Sequence, residues 1–268
     1  ARDDLPAPVS AEVLAALQGM GDDPDFVESL MTALGPGGAA LLNWRVRAMF
    51  ENSYEPGDQA RGKALFAALT TVYGTASKVV VHTPGGGSGP LLDEEWLKHF
   101  NPNEAAGLGE RWRYALGMGV EKEFSTGYRP DLLLPFLQKA GALSPEFSRL
   151  IADQAMKDYE AFTHDSDTNR RWYLYRGNDT ADPVLLRPYM AGDTSNPFRM
   201  DLLHVALDRA GDYASSSNAV FLAHKSSLLG LMSGSDDMFN TEGVHDWLGG
   251  SLGTLLTQAT IGFQQASP

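Results

Sequence analysis

A short unit recurs along this chain: a capping residue, a proline, an apolar helical run, then glycine. It runs from Asp23-Pro24-Asp25-Phe26 to Leu34-Gly35, from Arg129-Pro130-Asp131-Leu132 to Ala140-Gly141, and from Asn196-Pro197-Phe198 to Ala210-Gly211. Further starts stand at Ser10-Ala11-Glu12, Asn101-Pro102-Asn103-Glu104, Ser144-Pro145-Glu146 and Asp182-Pro183. A cap oxygen satisfies the orphan amides of a first turn, proline there gives up a donor the helix does not use, and glycine tolerates the backbone of a helix end. The unit therefore predicts an all-α fold, an irregular array of roughly ten to twelve short amphipathic helices. Its spacing is uneven, which excludes a regular solenoid.

The chain is read as one helical domain spanning 1–268, with 1–9 an extended lead-in and a flexible loop around 83–90. That loop, Thr83 to Pro90, holds the Gly-Gly-Gly-Ser-Gly run of a linker, natural or artificial. Val79, Val80 and Val81 before it are strand-like but too few to predict a sheet. Ser215 to Asn218 reads as the cap of a helix through Phe221 to Met232, and Val244 to Phe263 as the last helix. Ala1-Arg2-Asp3-Asp4 lacks an initiator Met and an apolar h-region, so it reads as a cut edge or a processed product and not as a signal peptide.

Charge and cysteine content narrow the functional classes. A net charge of −13 repels a phosphate backbone and an anionic membrane surface, so no nucleic acid and no membrane insertion are expected. With 0 cysteines there is no disulfide, thiolate nucleophile or Cys-based metal site. The apolar runs are too short to span a bilayer.

No motif carries chemistry outright. His164 to Asn169 begins like a calcium loop, but Arg170 takes the place of the sixth-position glycine and Arg176 that of the twelfth-position glutamate. Gly86-Gly87-Ser88-Gly89-Pro90 is neither a nucleophile elbow nor a phosphate loop. Asp93, Glu94 and Glu95 suit a helix N-terminus. Arg170 to Arg176 interleaves basic and aromatic residues, better matched to carboxylate pairing over a core edge than to nucleic acid. His204, His224 and His245, with Asp201, Asp208, Asp236, Asp237 and Asp246 nearby, are the weak candidates for an acid–base site. They lack metal-ligand spacing, so no metal and no cofactor are expected.

Three stretches carry a resemblance: Asp22 to Leu41 (DDPDFVESLMTALGPGGAAL), Leu91 to Leu116 (LLDEEWLKHFNPNEAAGLGERWRYAL) and Leu228 to Gly262 (LLGLMSGSDDMFNTEGVHDWLGGSLGTLLTQATIG). Together they resemble helical domains of large actinobacterial proteins of the WXG-type, type VII secretion-associated, polymorphic toxin-like group. The resemblance implies a non-enzymatic scaffold, delivery or docking domain of a secreted effector. It implies a protein partner such as a chaperone, an immunity protein or a secretion component. It also implies a secreted or envelope-associated location reached without a signal peptide, with the cytoplasm as the alternative. It carries over no catalytic residue. A hydrolase site assembled from distant His and Asp residues, and a phage or mobile-element structural protein, remain as the other readings.

Overall fold

The computed structural model describes residues 10–51, 56–82, 86–100, 133–163, 202–233 and 244–266. Among these the protein is all-α apart from one two-stranded ribbon. The recurring units at 129–130, 101–104 and 182–183, and the Asn196-Pro197 start, lie outside the described residues. Contacts group the chain into two compact units, Ala1–Gly141 and Ala142–Pro268.

The first unit holds α1 (Ala11–Met20), α2 (Pro24–Glu51), α3 (Pro56–Ala76), β1 (Val80–His82), β2 (Ser88–Pro90), α4 (Glu94–Phe100) and α5 (Leu134–Lys139). The caps follow from the local sequence. Ser10 Oγ accepts from the Val13 amide at 3.3 Å, and Asp23 Oδ1 accepts from the Asp25 and Phe26 amides at 2.9 and 3.1 Å. Asp93 Oδ1 accepts from the Trp96 amide at 3.2 Å, with Glu94 and Glu95 in the first turn of α4. The helix end read at Leu34-Gly35 is a break of one residue. Gly35 alone leaves the helical region, at φ 61° and ψ 172°, a backbone only glycine adopts without strain. Pro36 then sits in the first turn of the helix that resumes, where its missing N–H costs nothing.

α3 is the centre of this unit, with α1, α2 and α5 packed on it, while α4 packs on α2. Leu65, Leu69, Val72 and Tyr73 of α3 are almost fully buried, as are Val27 and Val46 of α2. Tyr73 Oη donates to Asn43 Oδ1 at 2.8 Å, joining α3 to α2 through a pair excluded from water. Burial pushes the Tyr73 hydroxyl far above its ordinary pKa, against the smaller opposing effect of the Asn43 hydrogen bond, so it stays a donor.

The valine run does form a strand. β1 pairs antiparallel with β2 in the register Val80 to Pro90, Val81 to Gly89 and His82 to Ser88. Residues 88–90, expected in a flexible loop, are instead the returning strand; 83–85 lie outside the described residues. Pro90 stands at a strand end, the position a residue without an N–H tolerates.

The second unit holds α6 (Pro145–Thr163), α7 (Leu202–Gly211), α8 (Ala214–Ala223), α9 (Lys225–Ser233) and α10 (Val244–Ala266). Ser144 Oγ accepts from the Phe147 amide at 3.1 Å and opens α6 as the sequence predicts. α8 and α10 share the most extensive contact, α7 packs on α6 and α10, and α8 also meets α6. Phe147, Ile151, Ala152 and Met156 of α6 and Val205, Leu207 and Ala210 of α7 fill the core.

The helix expected from 215 to 232 is two helices. α8 starts at Ala214 and breaks at His224, whose φ of −122° and ψ of 27° are non-helical. Ser216 and Ser217, read as capping residues, are buried inside α8. Their hydroxyls donate to the Pro145 and Ala210 carbonyls at 2.6 and 2.9 Å. Tyr213 precedes the helix and donates its hydroxyl to the Leu143 carbonyl.

Among the described side chains of this unit, Ser148 is buried without polar satisfaction. Its residue is fully buried and its Oγ has no hydrogen-bond partner. A buried hydroxyl left unpaired costs roughly 1–3 kcal/mol of desolvation. Ser148→Ala is therefore expected to raise stability by about 1 kcal/mol, read as a higher urea midpoint at unchanged slope. A loss of stability would mean that the hydroxyl has a partner.

Candidate functional site

Two polar clusters lie inside the second unit, each built on one of the candidate histidines. The first joins α7 to α10. His204 and Asp208 are one helical turn apart on α7, so both side chains leave the same face. Ser251 of α10 comes up between them and is 1% exposed. Ser251 Oγ lies 2.6 Å from His204 Nδ1 and 3.1 Å from Asp208 Oδ1.

Proton counting sets the direction of this chain. A carboxylate only accepts, so the single Ser251 proton goes to Asp208. His204 Nδ1–H then donates to the Ser251 oxygen. Burial lowers the His204 pKa, with the Asp208 charge opposing it, so the neutral ring is favoured. A nucleophilic serine needs the reverse order, with the imidazole taking the hydroxyl proton and a carboxylate holding the imidazole. Here the histidine donates to the serine, and the carboxylate holds the serine. The arrangement fastens α7 to α10.

The second cluster joins α6 to the α8–α9 joint. His224 is 5% exposed. Its Nε2 lies 2.8 Å from Asp153 Oδ1 and its Nδ1 2.9 Å from Glu160 Oε1. Asp153 and Glu160 are seven residues apart on α6, two turns along one face. Ser227 of α9 donates to the same Glu160 oxygen at 2.7 Å, and Lys157 lies 2.7 Å from Asp153 Oδ2. Two cations and two carboxylates thus balance when the ring is charged, which offsets the burial of the ring, while Lys157 stays exposed.

Burial on its own would raise the Asp153 pKa. The hydrogen bonds and charges of Lys157 and His224 outweigh it and hold that carboxyl below its ordinary value. For Glu160, burial again raises and the Ser227 and His224 hydrogen bonds and the His224 charge lower, with a net lowering. A carboxyl whose folded pKa is depressed binds its proton more readily when unfolded. Its contribution to stability is complete above the unfolded value, near pH 4, and is lost as pH falls through the lower folded value. The wild-type chain is expected to lose stability steeply below about pH 4. Asp153→Asn with Glu160→Gln is expected to flatten that slope in urea titrations repeated across acid pH. An unchanged slope would show that neither carboxyl is involved.

The candidate residues are thus divided between these arrangements. His204 is brought together with Asp208 and Ser251, and His224 with Asp153 and Glu160. His245 lies on the α10 backbone, but its side chain is outside the described residues, as are the Asp246 side chain and residues Asp201, Asp236 and Asp237. The His164 to Asn169 and Arg170 to Arg176 stretches also lie outside them. Among the described residues, no group of three or more His, Asp and Glu side chains is arranged to hold a metal ion. None of the described helices is long and apolar enough to cross a membrane.

The sequence reading did not include Ser251, Asp153, Glu160 or Ser227. The seven-residue spacing of Asp153 and Glu160 on an amphipathic helix was a visible signal for a shared face. Nothing near Ser251 marks it out. No family model, curated protein or solved structure matches this chain.

Proposed function

We propose that the chain is a non-catalytic helical docking domain of a secreted actinobacterial effector, and that its second unit binds a protein partner. The actinobacterial and secretion terms rest on the sequence resemblance alone. What supports docking is the distribution of apolar side chains on three mutually packed helices. Leu222 of α8 is 59% exposed, Leu229 and Met232 of α9 are 44% and 50% exposed, and Phe263 of α10 is 40% exposed. Phe263 also meets the Phe221 ring edge-on at 6.4 Å. Large apolar side chains held in water by packed helices suit an apolar anchor from a partner. The net charge of −13 favours the approach of a basic partner over an acidic one. Both histidine clusters are spent on joining helices, which agrees with a binding role.

The test places a photo-crosslinking residue at 222, 229 or 232 of the full chain in its native host, with exposed Arg149 as the control position. The expected result is one protein captured at the apolar positions and not at 149. Calorimetry with that protein, purified, then shows binding that Leu229→Asp with Met232→Asp weakens by about tenfold or more. Equal capture at 149, or binding indifferent to the double substitution, would overturn the reading.

A further inference from the structure

His224 occupies the joint where α8 ends and α9 begins, and between residues 214 and 233 the only other ionisable side chain is Lys225, which is exposed. An ionised carboxylate accepts hydrogen bonds and donates none. Each His224 ring nitrogen lies within 3 Å of a carboxylate oxygen, so both contacts are hydrogen bonds only when both nitrogens carry protons. A neutral ring would turn one lone pair onto a carboxylate oxygen, a repulsive contact for a ring that is itself 5% exposed.

We propose that His224 is a proton-operated latch: the doubly protonated ring ties the α8–α9 joint to α6, and loss of one ring proton releases it. Among the described residues, the charged groups that meet the ring are Asp153 and Glu160 of α6, with Lys157 on the far oxygen of Asp153. α8 carries no ionisable residue, nor do residues 249–266 of α10. On α7, His204 and Asp208 are engaged with Ser251, and Arg209 is paired with Asp212 at 3.2 Å. Among the described residues, Lys157 is the other cation at this cluster, and it sits on the far oxygen of Asp153.

The element the latch controls is α9. It has 9 residues with Gly230 in its middle, too short to persist without tertiary contacts. Its anchors are Leu228 and Leu231, both buried, and the Ser227 hydrogen bond to the same Glu160 that holds the ring. The latch is closed while the ring is charged and opens as pH rises past the loss of its proton. At the acid end, protonation of Asp153 and Glu160 opens it as well.

The full chain, labelled with 15N-histidine, is followed by NMR from about pH 5 upward until the His224 ring loses a proton. His224→Gln identifies the signals by their loss. Hydrogen exchange of α9 is measured over the same range and corrected for intrinsic base catalysis. Expected are two protonated ring nitrogens at the acid end and exchange in α9 that rises about tenfold or more as the ring loses a proton, with α7 unchanged. In Glu160→Gln the amide can donate to a neutral ring, so the pH dependence in α9 should disappear while the fold persists. An unprotonated ring nitrogen at the acid end, protection of α9 unchanged through the ring's proton loss, or a retained pH dependence in Glu160→Gln would each overturn the latch.

Discussion

Phe136→Ala is expected to destabilise the first unit by roughly 3–5 kcal/mol, the range for removing a buried aromatic side chain from a core that cannot collapse around the gap. The ring is fully buried, stacked on Phe66 at a centroid distance of 4.7 Å and tilted against Tyr73 at 5.7 Å. Its helix, α5, has 6 residues, far below the length at which a helix holds by itself. What keeps α5 on α3 is the burial of Leu133, Leu134, Phe136 and Leu137, each 0% exposed. Emptying the central position removes the packing of two α3 aromatics at once and loosens the Tyr73 to Asn43 pair beside it. Domains of this kind hold about 5–15 kcal/mol in all, so the loss is a large share. Urea unfolding followed by near-ultraviolet circular dichroism measures it. A cost under about 1 kcal/mol would mean that Phe136 is not the keystone the geometry makes it.

The second large effect is expected at Gly262, where α10 crosses α8. A Cβ placed there would lie 2.7 Å from the Ala214 carbonyl oxygen and 3.0 Å from Asn218 Cβ. The first obstacle is backbone at the start of α8, which no rotamer change can clear. Gly262→Val must push the two helices apart along the most extensive contact in the second unit, at a cost of about 3 kcal/mol by the usual penalty for overpacking. Gly253 provides the control, since a Cβ there meets nothing within 4 Å. Gly253→Ala is expected to stabilise the same helix by about 0.5–1 kcal/mol through propensity alone. Opposite signs at two glycines of one helix, read as urea midpoints, would separate close approach from helix propensity. Equal effects would refute the contact.

The helix starts at Ser10, Asp23, Asp93 and Ser144 were legible because a cap is a contact over two or three residues, complete within its own turn. The all-α class was legible for the same reason, together with the apolar periodicity that buries Phe147 and Ile151 of α6 on one face. His204 and His224 were visible as candidates, but their partners were not. Ser251 lies 47 residues from His204, and Asp153 and Glu160 lie 71 and 64 residues from His224.

Those distances mark the division. The sequence by itself determined where helices begin and which faces are apolar, since propensity, capping and periodicity act over a few residues. Only the tertiary structure decided that the helix from 214 to 233 breaks at His224, that Ser216 and Ser217 serve carbonyls instead of a cap, and that Val80 to His82 finds a partner strand. Each of these outcomes depends on a hydrogen-bonding partner beyond one helical turn, from 7 residues away for Ser217 to 71 for Ser216. Most buried polar atoms are paired wherever the partner lies, and local pattern does not encode that location.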